Sequence, residues 1–313
     1  MPDPTFSVIV PAYRSAHTIT TTLRSLAAQT DPDHEVIVVD DGSPDDVAAV
    51  VEAAAADDPR IVLLRQPNRG PSAARNLALE HCRGELVSFL DSDDAWLPAY
   101  LEEASKAMAS APEAGLGFAD AWAFRSADKR VHKGTTLGGF AHRQDRMTGD
   151  ELLDSLLRIN FITTSTVTAT RAALEAAGGF SEDLDGAEDW DLWLRVAEAG
   201  YGAVRIGDSP LLLLRDQDTS LSKDGSMMAL SAAEVLDRAG KRLPEGDPRR
   251  AAILGRAASA RAEAGEDTGP GLARRLAASP VLRPLRDRIQ DRLRFGPTPP
   301  DAARAFRALG ETG

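Results

Sequence analysis

Residues 85–94 read ELVSFLDSDD: an apolar run closed by carboxylates at positions 91, 93 and 94. Three negative charges in four positions need a physical reason at the end of a strand that should lie inside a sheet. Comparable endings close the other strand-like runs. FSVIV (6–10) leads to Pro11, Ala12 and Tyr13, and EVIVV (35–39) leads to Asp40, Asp41, Gly42 and Ser43. RIVLL (60–64) leads to Asn68, Arg69 and Gly70. Between these runs lie Ala-rich stretches with apolar residues at helical spacing, such as Ile19, Leu23 and Leu26, then Val47, Val50 and Val51. Strand–helix alternation with near-continuous apolar strands predicts a largely parallel α/β sheet covered by helices on both faces.

Right-handed crossovers bring the C-terminal ends of parallel strands to one edge, where open α/β sheets bind ligands. An aromatic, two acidic clusters and an Asn/Arg group are therefore expected around one crevice. No G-x-G-x-x-G comes after the first strand and no G-x-x-x-x-G-K-[ST] occurs in the chain, so the usual phosphate cradles are absent. Asp91 and Asp93 offer another route, because hard oxygen ligands hold a divalent cation that can bridge to phosphate oxygens. Alternation along an extended backbone puts these two carboxylates on one side, with Ser92 facing away. The plainer reading of DSDD, a turn or the N-cap of the next helix, stands beside this one.

Five stretches in chain order carry a resemblance: SVIVPAY, VIVVDDGSPDD, QPNRGPSAARNLALE, GELVSFLDSDDAWLP and AEDWDLWLR. Together they resemble the family 2 glycosyltransferases of GT-A fold, over residues 6 to about 195. The resemblance implies inverting transfer of a sugar from a nucleotide-diphosphate-sugar, a UDP- or dTDP-sugar, to an acceptor hydroxyl, with Mn²⁺ or Mg²⁺ as cofactor. It implies that Pro11 and Tyr13 form the wall for the base, that Asp41 reads the base edge, and that Asn68 and Arg75 contact the nucleotide. Asp91 and Asp93 match the D-x-D motif, Asp93 being the direct metal ligand; Asp94 is an accessory acid or a cap for the helix after Pro98. Asp189 matches the general base, although an acid at a helix N-terminus is also favoured by the helix dipole. Arg75 read alone would lie on a solvated helix face. Trp193 is expected in the core and Trp190 at the acceptor site.

The rest of the chain is less informative. GLGFADAWAF and FITTSTVTAT read as strands, residues 126–147 as a long loop, and Gly84 as the terminator of a helix over 74–82. Residues 126–165 are expected to select the acceptor: a glycan, a lipid-linked sugar or a small molecule. The 313 residues are expected to divide into a catalytic domain (1–220) and an α-helical extension (221–313). Cys82 is the sole cysteine and reads as a packing residue. With no secretory signal, no membrane-length apolar run and no Q-x-x-R-W motif, a cytoplasmic, non-processive enzyme is expected. A net charge of -12 argues against nucleic acid. Residues 271–313 depart from that balance, with nine Arg against four acids. VLRPLRDRIQDRLRF within them could pack on the protein or lie peripherally on an anionic membrane. A sugar-1-phosphate nucleotidyltransferase and a non-catalytic nucleotide-sugar binder are the alternatives.

Overall fold

The structure, a computed structural model, describes residues 3–125, 131–137, 144–216 and 225–266, together with Ala303. Its first half adopts the expected alternation: β1 (Phe6–Ala12), α1 (Ile19–Ala27), β2 (His34–Asp40), α2 (Val47–Asp57), β3 (Ile61–Arg65), α3 (Pro71–Leu79) and β4 (Leu86–Phe89). Next are β5 (Ala95–Trp96), α4 (Tyr100–Ser110), β6 (Ala114–Ala119), β7 (Ala121–Arg125), β8 (Val131–Thr135), β9 (Arg146–Met147) and α5 (Gly149–Arg158). A short 3₁₀ turn, Thr164–Thr166, leads into β10 (Val167–Thr170) and α6 (Arg171–Ala177). Then come α7 (Glu188–Glu198), β11 (Gly202–Ile206), β12 (Leu212–Asp216), α8 (Gly225–Arg242) and α9 (Arg250–Glu266).

An eight-stranded sheet runs β3-β2-β1-β4-β10-β6-β11-β9, and a smaller one runs β5-β12-β7-β8. β1 pairs in parallel with both β2 and β4, with Ile9 beside Ile37 and Phe89. Side-chain alternation along β1 feeds both faces. Ile9 enters a core shared with α3, α5, α7 and α8, while Val8 and Val10 enter one shared with α1, α2 and α4. β10 is antiparallel to both neighbours, β4 and β6. α8 contributes Ala232, Val235 and Leu236 to the same apolar cluster as Trp193 of α7, so the C-terminal helices share the core of the sheet.

Several expectations are corrected here. GLGFADAWAF is two strands in different sheets, because Asp120 interrupts it. The Asp120 carboxylate accepts from the Ala121 and Leu137 N–H groups at 2.8 and 2.9 Å and from the Thr136 hydroxyl at 2.9 Å. That satisfies the backbone groups a continuous strand would have paired. FITTSTVTAT is likewise part turn, part strand, and the expected loop over 126–147 contains β8 and β9. α3 stops at Leu79, so Gly84 does not end it. Gly84 instead permits a close approach: a Cβ there would lie 2.6 Å from both the Phe6 carbonyl carbon and the Ser7 nitrogen. Neither backbone neighbour is free to swing away, since β1 is paired on both sides. Gly84→Ala is therefore expected to lower unfolding free energy by about 1–3 kcal/mol, read as a lower urea midpoint. Cys82 packs as expected, and burial pushes its thiol up to about 11.

Candidate active site

The order β3-β2-β1-β4 brings the C-terminal ends of four parallel strands to one edge, with the crevice at the β1/β4 junction. Pro11 is half-buried at the end of β1. Tyr13, just beyond it, is 43% exposed with the Arg14 guanidinium 5.2 Å from its ring centroid. A large aromatic left this open at a strand end is available for stacking. Asn68 is exposed on the neighbouring loop.

Asp41 sits at this edge but is only 3% exposed, and both of its oxygens are engaged. Oδ1 accepts from Gln66 Nε2 at 2.7 Å and from the Arg69 N–H at 2.8 Å; Oδ2 accepts from the Gly70 N–H at 2.8 Å. Gly42 helps: at φ +67° a Cβ would press within 2.7 Å of the Asn68 nitrogen. The Asp41 carboxylate therefore anchors the loop that presents Asn68.

The acidic run after β4 is a turn, closed by the Asp94 N–H donating to the Asp91 carbonyl at 3.0 Å. Ser92 is buried, with Asp91 and Asp93 more exposed, on a turn rather than the extended backbone that alternation requires. Asp94 is not a helix cap. Its Oδ2 accepts from Ser165 Oγ at 2.7 Å and its Oδ1 from the Arg215 N–H at 2.8 Å, which ties the turn to both sheets. Burial, then the charges of Asp93 and Asp91, hold its carboxyl well above the usual range. Arg215 also places Nε 2.8 Å from the Asp93 carbonyl while its guanidinium lies over the Phe124 ring.

Arg75 is not on a solvated face. It is 4% exposed, donating to Asp91 Oδ1 and to Glu188 Oε1, each at 2.8 Å, and lies over the Phe180 ring. Burial works against the cation, but Asp91 and Glu188 outweigh it and the guanidinium pKa is raised. One buried fork thus joins the acidic turn to the start of α7.

Asp189, the second residue of α7, accepts from Thr164 Oγ1 at 3.0 Å, Asn160 Nδ2 at 3.3 Å and its neighbour's backbone N–H at 2.6 Å. Burial and the adjacent Glu188 charge raise its pKa to about 6, against the Thr164 hydroxyl, the Trp190 N–H and the Arg75 charge. The corner that aims it has Ala187 in the left-handed region at φ +56°. Trp190 departs from expectation: it is 7% exposed and its indole N–H donates to the Leu156 carbonyl at 2.9 Å, so it is core, as Trp193 is.

Sequence reasoning missed Glu188, Asn160, Thr164, Ser165 and Arg215. Glu188 adjoins a motif residue, which is a signal that could have found it; the other four come into place only through tertiary packing.

The two-sheet α/β architecture, with the acidic turn at the crevice, is that of the GT-A glycosyltransferases. Solved structures of that fold align over most of the chain. Staphylococcus aureus TarS 1–349 in complex with UDP-GlcNAc matches with a TM-score of 0.63 at 21% identity, over 92% of this chain and 81% of that one. The mannosyltransferase PcManGT from Pyrobaculum calidifontis, in complex with GDP-Man and Mn²⁺, matches with a TM-score of 0.59 at 22% identity, over 99% and 88%. The glycosyl transferase family 2 model matches residues 7–163, half of the chain, and the chain belongs to that family. The teichuronic acid biosynthesis glycosyltransferase TuaG of Bacillus subtilis (strain 168), a putative assignment in its own description, is 32% identical over 155 residues, 49% of this chain. The match spans 59% of TuaG's own length.

Proposed function

We propose that the chain is an inverting, metal-dependent glycosyltransferase that moves a sugar from a nucleotide-diphosphate-sugar to an acceptor hydroxyl. The observation that carries this reading is the linkage Asp91–Arg75–Glu188, which ties the D-x-D turn to the residue preceding Asp189. Asp189 takes the acceptor's proton as the oxygen attacks the anomeric carbon from the face opposite the departing diphosphate. A carboxyl raised to about 6 is a stronger base than an exposed aspartate and is still mostly ionised at neutral pH. Tyr13 and Pro11 form the wall for the base; Asn68 lines it on a loop that Asp41 holds in place.

The donor set fits a hard divalent cation. Among the described residues no three His, Cys, Asp or Glu side chains form a closed metal cage. Mg²⁺-type sites often consist of one or two carboxylates completed by substrate phosphates. Asp93 and Asp91 would supply those carboxylates, and the charge crowding that lifts Asp94 would be relieved by a dication. When bound, the cation offsets negative charge on the leaving diphosphate.

Solved structures of the same fold hold UDP-GlcNAc, and GDP-Man with Mn²⁺, which supports a nucleotide-sugar donor and a divalent ion. The likeness to TuaG, named for teichuronic acid biosynthesis, supports a polysaccharide as the product. The nucleotidyltransferase alternative lacks support, because PAYRSAHT (11–18), which closes β1 and leads to α1, contains no glycine. No helix among the described residues is long and apolar enough to cross a membrane. The basic tail segment lies outside the described residues, so peripheral membrane contact is a proposal from sequence alone.

A thermal-shift panel of UDP-, dTDP- and GDP-sugars with Mn²⁺ or with EDTA tests the reading. Ligand at a hundredfold over Kd stabilises by about 2.7 kcal/mol, so one sugar nucleotide should raise Tm by several degrees with Mn²⁺ and by little in EDTA. Equal shifts in EDTA sink the metal role, and no shift from any sugar nucleotide sinks the donor reading.

A further inference from the structure

We propose that the 3₁₀ turn Thr164–Thr166 is the positioning element of the site, with Thr164 as the residue that holds Asp189 in register with the acidic turn. This rests on the base reading above and adds residues the family motifs do not name. The turn is built into both halves of the site at once. Ser165 is fully buried; its Oγ accepts from the Asp91 N–H at 3.1 Å and donates to Asp94 Oδ2 at 2.7 Å, and its carbonyl accepts from Trp96 Nε1 at 2.9 Å. The adjacent Thr164 donates its hydroxyl to Asp189 Oδ2 at 3.0 Å. Consecutive residues of one rigid turn therefore fix the acidic turn and the base relative to each other.

The anchorage is firm. β10 continues from the turn and pairs with β4 and β6, while the Thr166 hydroxyl donates to the Thr163 carbonyl at 2.6 Å. Trp96 stacks on Tyr100 with centroids 3.9 Å apart, so the indole that grips Ser165 is itself fixed. Around Asp189 the charged groups are Glu188 on its own helix and Arg75 on α3; Asn160 and Thr164 are the neutral donors. Asn160 lies at 3.3 Å and receives the Ile162 N–H on its own oxygen, which makes Thr164 the shorter of the two side-chain links.

Thr164→Val keeps the β-branched shape and deletes the donor; Thr164→Ser keeps the donor. Two readouts decide. The first needs no substrate: the Asp189 carboxyl is titrated by carbon-13 NMR, its resonance assigned by loss in Asp189→Asn. Thr164→Val should titrate about one pH unit higher than the parent, because the ionised form has lost a hydrogen bond, and Thr164→Ser close to the parent. The second is turnover of whichever sugar nucleotide the panel selects. Thr164→Val should lower kcat about 10- to 100-fold with donor KM within twofold, and Thr164→Ser should recover most of it. Unchanged titration in Thr164→Val overturns the proposal, and so does loss in Thr164→Val that Thr164→Ser fails to restore. Full activity in Asp189→Asn would instead remove the base reading, while the titration would still decide whether Thr164 holds that carboxyl.

Discussion

Asp189→Asn is expected to reduce turnover by about 10²- to 10⁴-fold, the range that positioned general acid–base catalysis supplies, while donor affinity changes little. The exchange preserves volume, and an amide can still meet Thr164 and Asn160, so the corner at the start of α7 should keep its shape. What disappears is the proton acceptor. In the parent protein kcat/KM should rise with pH through about 6, the value to which burial and Glu188 lift this carboxyl. Stability runs the opposite way. A folded-state pKa above the ordinary aspartate value of 3.8 means that folding favours the protonated form. That contribution is fully present below 3.8 and is lost as pH rises through about 6. Asp189→Asn should therefore unfold at a urea midpoint no lower than the parent's at neutral pH, while nucleoside diphosphate release nearly stops. Retained activity would remove the assignment.

Arg75→Met should have the largest effect on stability. Removing the shared cation leaves Asp91 and Glu188 facing each other without compensation, in a region where Glu188 is partly shielded from water. Breaking one side of a buried ion pair typically costs about 3–5 kcal/mol, and here a single guanidinium serves two carboxylates. Arg75→Lys should recover only part of it, because an ammonium cannot present two parallel N–H donors in a planar fork. Urea unfolding of the three proteins measures this. A midpoint for Arg75→Met equal to the parent's would show that the two carboxylates are well solvated without the cation.

The legible part of the sequence was the part governed by local rules. The four parallel strands and their helices announce themselves through apolar runs and 3.6-residue spacing. The residues just past each strand end put Tyr13, Asn68, Asp91 and Asp93 at the edge where they are found. Legibility ended where one side chain redirects the backbone. Asp120 splits a continuous apolar pattern into two sheets, and no periodicity announces that. Gly84 looked like a helix terminator because glycine serves both that purpose and close backbone approach; only the position of β1 separates the two. Arg75 is polar and helical, features that elsewhere describe a solvated face, and its burial results from Asp91 and Glu188 arriving from 16 and 113 residues away. Thr164 and Ser165 lay in a β-branched run whose strand character hid the turn.

The antiparallel seam between β4 and β10 has an evolutionary consequence. The proposed donor-handling residues come from the β1, β2 and β4 side, whereas the proposed base follows β10 and two of its supports, Asn160 and Thr164, immediately precede it; the family match itself stops at residue 163. On the proposed assignment, lineages can remodel the recipient side while inheriting the sugar-carrying side intact, provided that the Arg75 fork and the Ser165 hydroxyl still meet their partners.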